Sequence, residues 1–563
     1  MTDASSLAFT PPSPGAWELE QTHLTRPPSV FIAATMPPAM MAGFREGTRV
    51  YGVLLDYLEV AVINRFLYMA PRAVGAPKSA KGPPPRLVFE ILRRVHPEIR
   101  RRVARAADVF RDRYWREDVI RWDREVKPAM LGQARALLAE DVTRASDAEL
   151  AQHVRRAAEF ISTATYNHHR FNACAMLTVG DFLVHAIGWT GLSAGELLKT
   201  MRGMSPVSAG ATEELAALRD SLLANPDARA LVMSSSPDAT ILAQLLERQD
   251  ASGAAARAWL DIVGLRVLGG YDVADPHARE HPALLVKIIR ASITGEETAR
   301  RAGAEQAFAT VRERVPAEHR ARFEELLGEA QHTYRVRDER IFHGDALAVG
   351  IARRAILAAG QRLVAKGRAD NAEDLIDATP DEIAALLEGR PGPSASELAA
   401  RARWRRETPL SAAPERLGFP PSPPPPAEWL PPAAARMQRS IALILGLMFD
   451  VETRRPQGAR LKGFAVSAGV YEGPVRVIRQ VEELPDVQRG EVLVASSTGS
   501  TFNVVLPLIG ALVTERGGVL SHAAIVSREY GLPGVVGCVG ATKELKTGMR
   551  VRVDGNTGDV WAI

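Results

Sequence analysis

Cysteine is nearly absent from this chain: only Cys174 and Cys538 occur in 563 residues. They lie far apart and without metal-ligand spacing, which excludes a disulfide scaffold, fits a reducing cytoplasm and gives no reason to expect a metal site. Both read as small, buried apolar residues. Neither sign of charge dominates, since 70 Lys and Arg face 66 Asp and Glu, so nothing points to a nucleic-acid partner. The Arg-rich stretches 93–116 and 401–406 read as solvated helix faces. Long hydrophobic runs are missing too: the longest, residues 441–449, falls short of the roughly 20 residues a membrane span needs. Residues 1–13 carry no basic and apolar leader pattern. A cytoplasmic protein without a membrane partner is expected. Neither a Gly-x-x-x-x-Gly-Lys-Ser/Thr loop nor a Gly-x-Gly-x-x-Gly turn is present, so the two commonest nucleotide-binding motifs are excluded.

What is present is mostly helix. After an extended segment over 1–35, rich in Pro, Ser and Thr, apolar residues recur three and four apart with Ala, Leu, Arg and Glu between them. Helices are predicted at 47–68, 87–110, 147–166, 211–223, 238–249, 296–315, 317–334 and 345–366. Thr379-Pro380-Asp-Glu382 opens one more with a capping box. The helical body runs over 36–389. Residues 390–455 form a linker with a connecting helix; the proline runs at 390–393, 419–426 and 430–432 read as a stiff, extended connector. A small α/β domain over 456–563 completes a multidomain chain.

That last domain carries the chemistry. Gly510-Ala-Leu-Val-Thr514 reads as a buried strand, Arg516-Gly517-Gly518 as a turn, and His522 to Tyr530 as a helix stopped by Gly531-Leu-Pro533. Adjacent glycines let backbone N–H groups approach an anion, and a helix N-terminus adds free donors and positive dipole. Ser521 is placed as N-cap, Arg528 within reach of a phosphoryl oxygen, and Thr514 at the strand end beside the phosphate. A neutral imidazole there can accept a phosphoryl group and surrender it. A histidine at a helix start is more often only a cap; the surrounding pattern reverses that reading.

The Gly-Gly pair, Ser521-His522, Ala-Ala-Ile-Val, Arg528-Glu529 and Gly531-x-Pro533 resemble the phosphohistidine, or swivelling, domain of the phosphoenolpyruvate-utilising enzymes. The resemblance extends from about Gly463, where Gly463 to Val477 looks like an opening hairpin, to the closing Asp554-Gly555 hairpin. Two departures stand out: Ser500 follows Thr498-Gly499 where the family commonly has Pro, and Leu520 replaces a Thr found in some members. In the helical body, His332-Thr-Tyr334-Arg335-Val-Arg337-Asp338-Glu339-Arg340, Gly350 to Val364, Asp374-Leu375 and Tyr271-Asp272 resemble the substrate-binding helical domain of rifampicin phosphotransferases and related synthase subunits. Gly264-Leu265-Arg266 stands where those often have Gly-His-Arg.

The resemblance implies that His522 carries a phosphoryl group. The family's donors are ATP on an ATP-grasp domain and phosphoenolpyruvate on a (β/α)₈ barrel, and residues 1–440 lack the strand-helix alternation of either. A separate ATP-grasp subunit holding Mg-ATP is therefore the expected partner, as in phenylphosphate synthase, with no cofactor tightly bound here. The expected acceptor is a small phenolic or macrocyclic hydroxyl held by the helical body. Candidates to hold it are Arg335, Arg337, Asp338 and Glu339, with His168 and His169 adjacent on a helix and His185 and His343 as weaker choices. The alternative is a phosphohistidine carrier or regulatory protein with no small-molecule substrate.

Overall fold

The computed structural model describes residues 8–21, 24, 26–205, 207, 213–268, 271–294, 302–449, 461–479, 481–499, 502, 505, 506 and 508–563. It divides into two compact units. One holds Met1–Leu177, Gly270–Pro276 and Glu339–Arg439; the other holds Thr178–Gly269, His277–Asp338 and Ser440–Ile563.

The first unit is built on the helix Asp147–Arg170, against which the helices Val30–Tyr51, Ala346–Ala365 and Pro380–Leu387 pack. Its start is fixed by a capping box: the Ser146 hydroxyl accepts from the Glu149 N–H while the Glu149 carboxylate accepts from the Ser146 N–H. Leu150, Val154, Ala157, Ile161 and Ala164 form its buried stripe. The capping box expected at Thr379 and Glu382 is also present.

A four-stranded antiparallel sheet completes this unit, in the order Leu55–Ile63, Phe66–Ala73, Ala16–Leu19, Arg416–Gly418. It corrects three expectations. The helix predicted over 47–68 ends at Tyr51, and a hairpin follows. The turn residues Asn64 and Arg65 have φ of 49° and 69°, both positive as a two-residue hairpin turn with the right twist requires. β-branched and aromatic residues outweigh the helical spacing there. The segment 1–35 holds the strand Ala16–Leu19 and the start of the Val30–Tyr51 helix, with residues 1–7 outside the described part. The connector is not one extended arm: it contains the helix Ala395–Glu407 and the strand Arg416–Gly418, whose Leu398, Ala402 and Leu417 are buried. Even the proline run is tied down, with the Pro425 carbonyl accepting from Gln438 Nε2 at 2.6 Å. Residues 450–460, where the linker meets the small domain, lie outside the described part.

The helix predicted over 87–110 is two, Arg86–Val95 and Pro97–Asp112, because the residue before a proline is pushed out of the helical region. The stretch Asp147–Thr190 is long and apolar enough to cross a membrane, but 67% of its apolar window is buried within the protein, as in a core helix.

The second unit combines helices from Ala194 to Asp338 with an eight-stranded mixed sheet. Residues 211, 212 and 296–301 of two predicted helices lie outside the described part; the rest form Glu213–Ala224 and Ala302–Arg314. The sheet order is Leu461–Lys462, Asp559–Ala562, Arg550–Asp554, Val470–Ile478, Val492–Ala495, Ala511–Thr514, Gly534–Val536, Phe464–Ser467. Val470–Ile478, Val492–Ala495, Ala511–Thr514 and Gly534–Val536 run parallel to one another. Val492–Ala495 and Ala511–Thr514 are buried along their whole length, which is why they read as continuous apolar runs rather than alternation. The closing hairpin is present. The opening one is not: Phe464–Ser467 pairs with Gly534–Val536 at one edge, while Val470–Ile478 pairs with Val492–Ala495 and Arg550–Asp554.

Candidate functional site

The strand Ala511–Thr514 ends in the glycine turn, and a helix begins at His522, running to Tyr530. Ser521 is its N-cap, its hydroxyl accepting from the Ala524 N–H at 3.4 Å. Gly531, with φ of 65°, closes it in the left-handed conformation that glycine favours. The local geometry anticipated from the residues is therefore in place, and it puts the imidazole on the first turn.

The imidazole is fixed by a residue that the sequence alone did not single out. Thr498, in the loop after the strand Val492–Ala495, sets its hydroxyl oxygen 2.9 Å from His522 Nδ1. With Nδ1–H donating to that oxygen, the lone pair lies on Nε2. Nε2 is sealed from solvent and has no hydrogen-bond partner among the described residues. Burial pushes the imidazole down to about 4, against an opposing pull from Asp338 and with a further push from Arg337, so the ring is neutral at physiological pH. A buried nitrogen with a lone pair and nothing to bond is the arrangement expected of a nucleophile awaiting its electrophile. The one signal for Thr498 was the departure at Ser500, which itself lies outside the described residues.

The other residues of the turn divide by role. Gly517 has φ of 108°, which suits glycine alone. Gly518 makes room for protein rather than for an anion: a Cβ there would stand 1.8 Å from the Leu447 carbonyl oxygen. Thr514 is fully buried and its hydroxyl donates to the Arg516 carbonyl at 2.8 Å, so it shapes the turn. Arg528 is buried, donating from Nη1 to the Val466 carbonyl at 3.3 Å and bonded to the Tyr334 hydroxyl; its Nη2 is sealed from solvent without a partner among the described residues.

The helix Arg320–Arg340 brings the acceptor candidates Arg337 and Asp338 into the electrostatic field of His522. Asp338 Oδ2 accepts from the Ser205 hydroxyl at 2.7 Å. Tyr334 lies in the field of Arg528, Asp338, Arg337 and Glu529, Arg528 in that of Arg337 and Glu529, and Glu529 in that of Asp338. Two further ties hold the small sheet's His522 helix to these helices: Glu529 accepts from the Gly203 N–H at 2.9 and 2.8 Å, and Arg202 Nε donates to the Glu529 carbonyl at 3.0 Å. Lys287 Nζ adds bonds to the carbonyls of Pro485 and Val487 at 3.2 and 3.1 Å.

The remaining candidates do not join the cluster around His522. Glu339 belongs to the first unit, where it accepts from Trp122 Nε1 at 2.8 Å and Lys127 Nζ at 3.0 Å, a structural tie. Arg335 is half-buried, and at about 100° per residue it faces nearly opposite to Arg337 on the same helix. His168 and His169 end the helix Asp147–Arg170 in the first unit: His168 Nδ1 is 2.6 Å from Asp345 Oδ2, and His169 Nδ1 is 2.8 Å from the Thr165 carbonyl. Burial pushes His169 down to about 3. His185 bonds its own helix at Asp181. Among the described residues no group of three or more His, Cys, Asp or Glu side chains is arranged to hold a metal ion.

Residues 487–558 match the family described as PEP-utilising enzyme, mobile domain. The small sheet is thus similar to a PEP-utilising mobile domain over those residues. Residues 170–339 match the rifampicin phosphotransferase fourth domain, and this matched segment includes Gly203 and Lys287, which bond to Glu529 and to the Pro485 and Val487 carbonyls. An uncharacterised phosphotransferase of Bacillus subtilis, YvkC, is 31% identical over 229 residues, 40% of this chain and 26% of that protein. Rifampicin phosphotransferase of Bacillus subtilis is 46% identical over 103 residues, and phosphoenolpyruvate synthase of Pyrococcus furiosus 48% over 101; each match covers 18% of this chain and 12% of the relative. The chain thus spans about a quarter or less of the length of these relatives.

Proposed function

We propose that His522 accepts a phosphoryl group on Nε2 and passes it to a small organic hydroxyl, making this chain the phosphohistidine part of a phosphotransferase. The group comes from ATP held by an ATP-grasp subunit on a separate polypeptide. Nε2 attacks the β-phosphorus of ATP: the N–P bond forms, the bond to the α–β bridging oxygen breaks and AMP leaves; water then attacks the γ-phosphorus, the bond from it to the β–γ bridging oxygen breaks, and Pi departs, leaving one phosphoryl group on Nε2. The observation that carries this reading is the imidazole itself on the first turn of a helix, with Nδ1 held by Thr498 and Nε2 buried and unpartnered among the described residues. Arg337 supplies positive charge to the phosphoryl oxygens, while the Asp338 carboxylate favours a proton on the ring and so makes the imidazole a better leaving group in the second transfer. In this reading Arg337 and Asp338 serve the phosphohistidine.

The test is to mix the chain with the candidate nucleotide-binding subunit and [β-³²P]ATP, with [³²P]phosphoenolpyruvate in a parallel arm. Acid-labile, base-stable label is expected from ATP on the wild type and none on His522→Ala. Equal label on both proteins contradicts the reading. Label from phosphoenolpyruvate alone overturns the choice of donor, and stable label that no hydroxyl compound discharges favours the carrier alternative.

A further inference from the structure

In the first unit, the helix Arg86–Val95 turns an apolar side outward. Three prolines, Pro83 to Pro85, precede it and Pro97 follows it, which fixes both ends. At about 100° per residue, Leu87, Ile91, Val95 and Val88 fall within one arc of roughly 100°. They are 79, 58, 64 and 45% exposed. Phe89, on the other side, is buried and meets the Trp429 ring at a centroid distance of 5.9 Å. A surface helix normally does the reverse, with its apolar face toward the core. Single exposed apolar residues need no explanation, but four contiguous aliphatic side chains mark a surface that a partner covers.

The charges beside this stripe define that partner's chemistry. Residues 86–102 hold six Arg and two Glu. Both carboxylates are already shared: Glu90 binds Arg93 at 2.6 Å and Arg94 at 3.4 Å, and Glu98 binds Arg101 and, at 2.6 Å, Arg102. Arg86 and Arg100 are exposed and have no ion pair among the described residues. Positive charge is therefore left uncompensated beside the stripe, which attracts an acidic partner and repels a second copy of the same face. A lipid surface fits less well, because the stripe has no aromatic residue to sit among headgroups and Glu90 lies on the same helix. Leu87, Ile91 and Val95 instead form one ridge of residues four apart, the shape that enters a groove on a facing helix.

We infer that this face is where the nucleotide-binding subunit docks, through an acid-rimmed helical surface of that subunit. The inference rests on the phosphotransfer reading for the identity of the partner, but docking itself needs neither nucleotide nor His522. Covering the four aliphatic side chains holds the complex together, while Arg86 and Arg100 steer its formation and set its register. Part of the Arg-rich stretch that reads in the sequence as a solvated face is then the rim of a contact.

Sedimentation velocity of the full chain with the candidate nucleotide-binding subunit, without nucleotide, measures docking, and [β-³²P]ATP added to the same mixtures measures label on His522. Wild type and His522→Ala are expected to bind alike. Leu87→Glu and Ile91→Glu each weaken binding roughly tenfold or more with melting unchanged, while Ile91→Leu binds as the wild type does. Arg86→Glu combined with Arg100→Glu weakens binding at low salt and flattens its salt dependence. On the Leu87→Glu and Ile91→Glu proteins, labelling slows at limiting subunit and regains the wild-type rate at saturating subunit, as it does when docking rather than chemistry is lost. Absence of a complex, or equal binding by those two proteins and the wild type, overturns the inference even where His522 takes label. Self-association, or pelleting with phosphatidylglycerol vesicles, that the same two substitutions abolish also overturns it. A complex that both substitutions weaken, with wild-type His522 unlabelled, overturns only the phosphotransfer reading.

Discussion

At the scale of residues, the account turns on which ring nitrogen is free. Thr498 holds Nδ1, so Thr498→Val is expected to leave the fold intact while releasing the imidazole to other orientations and tautomers. A lost hydrogen bond of about 1.4 kcal/mol corresponds to roughly a tenfold slower rate of labelling, read by initial-rate phosphorylation at fixed partner concentration. An unchanged rate removes Thr498 from the account. The sequence made His522 legible because helix start, glycine turn and stop signal are all local. Thr498 was not legible, since it lies 24 residues away and meets the ring only because the strands Val492–Ala495 and Ala511–Thr514 are neighbours in the sheet. The same distance effect hid the role of Glu339, which a run of charges presented as a ligand and which tertiary structure ties to Trp122 and Lys127.

At the scale of elements, the glycine turn and the helix Pro432–Phe449 are locked together. The Leu447 carbonyl accepts from the Val519 N–H at 3.1 Å and occupies the place of a Gly518 side chain. Gly518→Ala therefore forces a backbone oxygen to move and is expected to destabilise the protein by about 2–4 kcal/mol, measured as a fall in thermal midpoint against Ser521→Ala, where losing the cap costs about 1 kcal/mol. A Gly518→Ala protein as stable as the wild type contradicts this packing. Long helices with regular spacing were legible, including Asp147–Arg170 and Ala346–Ala365. The hairpin Leu55–Ile63 and Phe66–Ala73 was not, because its alternation is blurred by apolar residues on both faces and its turn lacks the glycine that signals one.

At the scale of the whole molecule, composition and periodicity predict one helical body, a stiff, extended connector and a small domain. The structure instead gathers most of the segment that matches the fourth domain and the segment that matches the mobile domain into one compact unit, while the proline-rich stretch packs into the other. Composition signals a connector but does not reveal that Leu398 and Leu417 within it find a core. The contacts between mobile and fourth domains carry a pH dependence. Burial raises the Glu529 carboxyl to about 7, against a downward pull from the Gly203 N–H. A raised carboxyl contributes stability that is complete below its ordinary value and is lost as pH rises through 7. His522, lowered to about 4, acts oppositely, adding stability as pH rises to its ordinary value near 6.5, and is flat above that. Between pH 6.5 and 8 the wild type is therefore expected to lose thermal stability relative to Glu529→Gln, and parallel melting curves across that range contradict the assignment.

The most direct measurement of the central claim is the position of the phosphorus. With ¹⁵N-labelled histidine and the phosphoryl donor present, ³¹P–¹⁵N correlation NMR of the intact chain is predicted to show one phosphorus bonded to Nε2 of His522, and none in His522→Ala. Phosphorus on Nδ1, on another histidine, or on no histidine at all contradicts it.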